Sequence, residues 1–132
     1  MTAKRIELIG LPLDDGGARR GCLMGPDMLR TAGLAQALRA LGHEVEDCGD
    51  VSPNVTPRAS HPNKAIHDLD ECAAWIEAIE PAAFASEALP IFLGGDHLIS
   101  AGTVPGVTRR SEAQGQPQFV LWLDLSNRLK NL

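Results

Sequence analysis

The chain has 132 residues, a formal net charge of −5 and a pI near 5.3; 44% of it is hydrophobic and 22% charged. That length suits one domain, read as residues 1–132, and the composition excludes a disordered chain. An acidic balance offers no basic face to nucleic acid or an anionic membrane, so neither is an expected partner.

The start, MTAKRIELIG, is basic, but its apolar stretch is short and runs into a turn, which reads as a strand and not a signal peptide. No run approaches the roughly 18 apolar residues of a membrane span. Ile6 to Leu11 forms the first buried strand and stops at Pro12. The glycine-rich stretch PLDDGGARRGCLMGP follows as a long loop, and long loops after strands are often functional. GPDMLRTAGLAQALRALG predicts one helix, with Pro26 at its first position, Asp27 at its positive end and Gly42 at its stop. HEVEDCGDV reads as a strand near the sheet edge, with His43 as a turn residue.

A Pro/Ser/Asn-rich loop leads to a second helix whose expected buried face is Ile66, Leu69, Ala73 and Ile76, with a break or kink at Pro81. His61 and His67, six apart, read as surface residues. LPIFLGGDH is the third strand, and the helical stretch after it is expected to be interrupted by Pro105. FVLWLD is the fourth. Strands alternating with helices predict an α/β class with a mainly parallel sheet of about four strands. Three cysteines, Cys22, Cys48 and Cys72, have no CxxC spacing and read as free, small, buried residues of a reducing cytoplasm. Arg19-Arg20 and Arg109-Arg110 read as solvated loop charges.

Chemistry in such sheets collects at the carboxyl ends of the strands. Three ends matter: Pro12 with its loop, Gly94 to His97, and Asp124. In GGDH two glycines admit close backbone, then an Asp and a His project from the strand tip. Imidazole and carboxylate are donors for a divalent transition metal. A capping Asp and a satisfied His explain the same four residues equally well. The loop from Gly16 to Gly25 has neither the glycine spacing nor the reaching basic residue of a phosphate cradle.

Taken together and in order, RIELIGLPLDDGG-ARRGCLMGPDMLR, LGHEVEDCGDV, FLGGDHLISAGTVPGV and FVLWLD resemble the N-terminal part of the arginase-type ureohydrolases over residues 4–124. The resemblance implies a three-layer α-β-α fold and two Mn²⁺ ions with a bridging hydroxide. These hydrolyse a guanidino group, as in arginine to ornithine and urea. It implies His97 as one metal ligand, three more from a D-A-H-x-D segment, and two from a later D-x-D.

Here that segment reads Asp124-Leu125-Ser126-Asn127-Arg128, so only Asp124 matches, and no later D-x-D follows. Ser126 is a poor ligand and Arg128 a fixed cation. The resemblance therefore leaves His97 and Asp124 as a vestigial metal pair, no assignable catalytic residue and no assignable substrate-binding residue. Residues 125–132 read as a tail outside the family pattern, a short amphipathic turn or a frayed end following a truncation, frameshift or engineered stop. The expected protein is inactive alone. The alternative is a non-catalytic remnant that associates with itself or with a full-length relative. The resemblance implies other strands between the GGDH strand and FVLWLD, so either FVLWLD moves in beside the GGDH strand or an apolar edge stays open, and an open edge predicts a homo-oligomer or domain-swapped dimer.

Overall fold

A computed structural model describes residues 2–17, 20–57, 61–63, 67–121 and 123. Its described strands are β1 (Arg5–Gly10), β2 (Glu44–Asp50) and β3 (Leu89–Leu93), all parallel in the order β2-β1-β3. The central strand β1 is covered on both faces, and Ile6 to Gly10 are buried accordingly. The period of two divides its side chains. Ile6 and Leu8 join Leu93 and meet Leu34 and Leu38, while Ile9 joins Leu11, Leu13, Trp75 and Ile79.

These two clusters are the two sides of a three-layer sandwich. Helices α1 (Gly25–Thr31) and α2 (Leu34–Ala40) lie on one face; α3 (Leu69–Ala85) and α4 (Ile99–Ala113) lie on the other. The expected α/β class with a parallel sheet is what the chain forms.

Several local expectations differ. The stretch 25–42 is two short helices, not one, because Gly33 adopts φ +86, a left-handed conformation that ends α1 and restarts the chain as α2. In α3 the buried side chains are Ala74, Trp75, Ile79 and Ala83, while Ala73 and Ile76 are half-buried and Ile66 lies outside the described residues. Trp75 sets the stripe, with Ile79 and Ala83 following at four-residue steps.

Neither proline stops its helix: α3 runs through Pro81 and α4 through Pro105. Each lost N–H bond is offset by the close approach of α3 to α4. A Cβ on Gly102 would lie 2.7 Å from the Ile79 Cβ, and one on Gly106 would lie 2.4 Å from the Glu80 carbonyl oxygen. Arg109 and Arg110 belong to this helix and not to a loop. Arg110 Nη1 donates to the Ser86 and Ala88 carbonyls at 2.8 and 3.2 Å, which caps the end of α3.

The sheet has three strands among the described residues, not four. Phe119 to Leu121 and Leu123 lie outside any strand, with Phe119 87% and Leu123 84% exposed. Asp124, Ser126 and Arg128, with the rest of the expected tail, lie outside the described residues.

Candidate metal-site edge at the strand tips

The tip of β3 turns sharply after Leu93. Asp96 is buried, and its Oδ1 accepts the Leu98 N–H at 2.9 Å. This is an Asx-type turn that starts α4. The other carboxylate oxygen, Oδ2, is buried with no hydrogen-bond partner. His97, next in sequence, is exposed. A cleft of about 530 Å³ opens here, lined by Gly94, Asp96, His97 and Ser100 on one side and by Leu121 and Leu123 on the other. So GGDH divides its labour: Asp96 shapes the turn and His97 faces outward. Both readings of those four residues were open in the sequence, and the capping one holds for Asp96.

The glycine-rich loop closes over this tip. A Cβ on Gly16 would sit 2.8 Å from Asp96 Oδ1, one on Gly25 would sit 2.5 Å from the Gly94 carbonyl oxygen, and one on Gly95 would sit 2.7 Å from the Cys22 carbonyl oxygen. Only glycine lets these backbones meet. The loop is tied in turn to α3. Trp75 Nε1 donates to Asp15 Oδ2 at 3.0 Å, and Cys72 Sγ donates to the Asp15 carbonyl at 3.4 Å. Sequence reasoning identified the loop and the GGDH tip separately and missed their contact. The paired glycines in each segment were the available signal.

The cysteines are free, as expected, but not buried: Cys48 is exposed and Cys22 and Cys72 are half-buried. Partial burial, reinforced by the carboxylate of Asp15, pushes the Cys72 thiol above its usual range. The Cys48 thiol is pushed the same way by desolvation and then by Glu7. Neither is an activated nucleophile. His43 lies between the turn at Leu41-Gly42 and β2, and its Nδ1 accepts the Lys4 N–H at 3.3 Å; His61 is on the surface, its Nδ1 accepting the Asn63 N–H at 3.1 Å.

Away from the tip, Arg30 of α1 binds β2: Nε to Asp47 Oδ2 at 2.8 Å, Nη2 to Asp47 Oδ1 at 3.0 Å, and Nη1 to Asp50 Oδ1 at 2.7 Å. The Arg30 guanidinium holds the Asp47 carboxyl below its usual range. Asp50 Oδ1 in turn fills the space above Gly10, where a Cβ would sit only 1.8 Å away.

The Arginase family model matches residues 4–125. The chain belongs to the arginase family. It is 53% identical over 120 residues to an arginase of Brucella melitensis, covering 89% of this chain and 39% of that relative. It is 48% identical over 132 residues to an arginase of Agrobacterium fabrum, covering 98% and 41%. Among solved structures, the arginase of Bacillus caldovelox superposes with a TM-score of 0.69 at 34% identity, over 80% of this chain and 37% of that one. The chain thus spans about 39–41% of the length of the two curated relatives.

Arginase-family chemistry implies a manganese pair, and the described residues do not fit one. No group of three or more His, Cys, Asp and Glu side chains converges among them. Manganese wants about six oxygen or nitrogen donors with several carboxylates. Among the described residues His97 is the one imidazole lining the cleft, and Asp96 commits Oδ1 to the Leu98 backbone.

Proposed function

We propose that these 132 residues form one edge of an arginase-type site and do not hydrolyse a guanidino compound by themselves. The donor set carries this reading. His97 stands at the cleft, the sequence offers Asp124 at the tip of FVLWLD, and Ser126 and Arg128 occupy positions where the family resemblance expects ligands. In intact relatives the resemblance assigns the metal pair the task of making a nucleophilic hydroxide at neutral pH. Here the chain's own residues shape a strand tip, through Asp96 and the glycine contacts, and present one imidazole beside it.

The experiment is a pair of measurements on the polypeptide of residues 1–132: manganese content after dialysis, and urea release from arginine and agmatine. We expect well under one Mn²⁺ per chain and no urea. Two bound ions with turnover would overturn the reading in favour of an active hydrolase of small guanidino substrates.

Self-association is the second part of the proposal. The exposed apolar run from Phe119 to Leu121, with Leu123, supports it. Light scattering that gives a monomer at high concentration would remove it. The free thiols support a reducing, cytoplasmic setting. No described helix is long and apolar enough to cross a membrane.

A further inference from the structure

The two faces of β2, EVEDCGD, are covered differently. Asp47 turns to α1, where Arg30 takes it. Glu44 and Glu46 turn to the α3 side, beside Arg5 and Glu7 of β1, their partners in register. The end of α3 covers Glu7 through Ser86 and Glu87 but leaves Glu44 and Glu46 exposed. This sheet face has no helix over it among the described residues, and it forms a trough. A hollow of about 410 Å³ lies between β2 and the end of α3, with Ile9, Val51, Ala82 and Ala85 as its apolar lining. A second hollow, of about 130 Å³, continues it past Glu44. The two share Arg5, Glu7 and Glu46, and neither shares a residue with the cleft at the β3 tip.

The trough is electrostatically unbalanced. Glu7, Glu44, Glu46 and Glu87 line it against the single guanidinium of Arg5. Among the described residues none of these four carboxylates is in an ion pair, whereas Asp27, Asp47, Asp50 and Glu80 all are. Glu7 and Glu46 stand directly opposite each other in the ladder, a placement of like charges that costs stability. Glu7 is also only 9% exposed, so water hydrates its carboxylate poorly. A cation brought from outside relieves both costs.

The shape selects among cations. A bare metal ion is a poor fit, because no group of three or more His, Cys, Asp and Glu side chains converges among the described residues. Alternate residues of a strand stand about 6.6 Å apart, so Glu44 and Glu46 present their charges at that repeat. An extended polypeptide with Lys or Arg at every second residue has the same repeat. The alkyl stems of those side chains suit the apolar lining while their heads meet the carboxylates. Backbone pairing contributes little. The Glu44 N–H goes to Lys4 of the first strand's side, the Val45 carbonyl already accepts from Arg39 Nη2 at 2.8 Å, and the Gly49 N–H donates to Asp47 Oδ1 at 3.0 Å.

We propose that the α3-side face of β2 is a docking surface for an extended basic segment of another polypeptide, with Lys or Arg at alternate positions lying over Glu44, Glu46 and Glu87. Charge complementarity names the occupant, and the strand repeat names its conformation. A second copy of this chain presents the same acidic face and is repelled by it. The proposal is independent of whether any metal binds at the β3 tip and of whether the chain releases urea.

The test measures binding to residues 1–132 by titration calorimetry at low salt, with probes of equal charge. These are the acetylated, amidated peptide Lys-Ala-Lys-Ala-Lys, its isomer Lys-Lys-Lys-Ala-Ala, and spermidine. The alternating peptide should bind at least about threefold more tightly than either of the others, the margin that one or two exposed ion pairs supply. Its affinity should fall as salt rises. Glu46→Gln with Glu87→Gln, both at exposed side chains, should weaken it by at least about fivefold. Glu112→Gln, which removes a charge that does not line the trough, should leave it unchanged. Circular dichroism of each free variant checks that it still folds. No binding at low salt, equal binding of all probes, or a double variant that binds like the parent would each overturn the proposal.

Discussion

Arg30 holds Asp47 with two nitrogens, and the same guanidinium reaches Asp50 with a third. One side chain from α1 therefore fastens the whole carboxyl half of β2. The bond is half in water, with side-chain exposures of 22% for Arg30 and 37% for Asp47 and Asp50. Its worth is accordingly modest, on the order of 1 kcal/mol for a bidentate pair so exposed.

Its pH dependence has a definite sign. Asp47 is held below its usual range by Arg30, so its contribution is present above the ordinary carboxylate pKa of about 4 and is lost as pH falls through the lower folded value. Arg30 stays ionised throughout that window and adds no slope. Arg30→Met should lower stability by about 1 kcal/mol at pH 7 and flatten the acid limb, as read by urea denaturation from pH 7 down to pH 2. An unchanged acid limb would show that another carboxylate governs it.

A second prediction concerns Glu7. This carboxylate sits in the central strand and is buried against the end of α3. Ser86 Oγ donates to its Oε2, and the Glu87 N–H donates to Oε1 at 3.3 Å. Ser86→Ala leaves one oxygen without its donor and should cost about 1–3 kcal/mol. A denaturation midpoint equal to that of the parent would mean that water reaches Glu7 freely.

The α3–α4 contact gives a third. At Gly106 an added side chain meets backbone, the Glu80 carbonyl oxygen, and the Ala83 Cβ at 2.6 Å. Gly106→Val should therefore destabilise by about 1–3 kcal/mol or more. Thermal unfolding measures it. A neutral outcome would require α3 and α4 to separate without loss, which the burial of Ile79 at their junction opposes.

Restoring the donors that the family resemblance expects is the fourth. Ser126→His with Arg128→Asp replaces a weak ligand and a repelling cation. Manganese affinity, read by calorimetry, should rise by more than about tenfold, since loss of even an outer partner typically costs 10–100-fold. No gain would mean that Asp124 and its neighbours do not face His97.

Periodicity and composition made the order β-α-β-α-β-α legible, because each strand was a short apolar or alternating run bounded by glycine or proline. What they missed has physical causes. Gly33 lies inside the stretch read as one helix, and only its backbone angle reveals the break. Pro81 looked like a break or kink and Pro105 like an interruption, and only the partner helix explains why both helices run through them. FVLWL has every mark of a strand, but a strand needs a neighbour, and no local rule reports whether one is there. At the site, GGDH was legible as a strand tip. The glycine contacts at that tip join residues 69 to 80 positions apart in the chain.

The position of β1 has a consequence for synthesis. It is made before both of its partners, pairing with residues 44–50 and then with residues 89–93. Until β3 leaves the ribosome, an IELIGL segment that ends up almost wholly enclosed stays open along one side. Parallel pairing at such separations is slow. The nascent chain thus keeps an apolar strand, destined for the middle of the sheet, without its second partner until residues 89–93 are made.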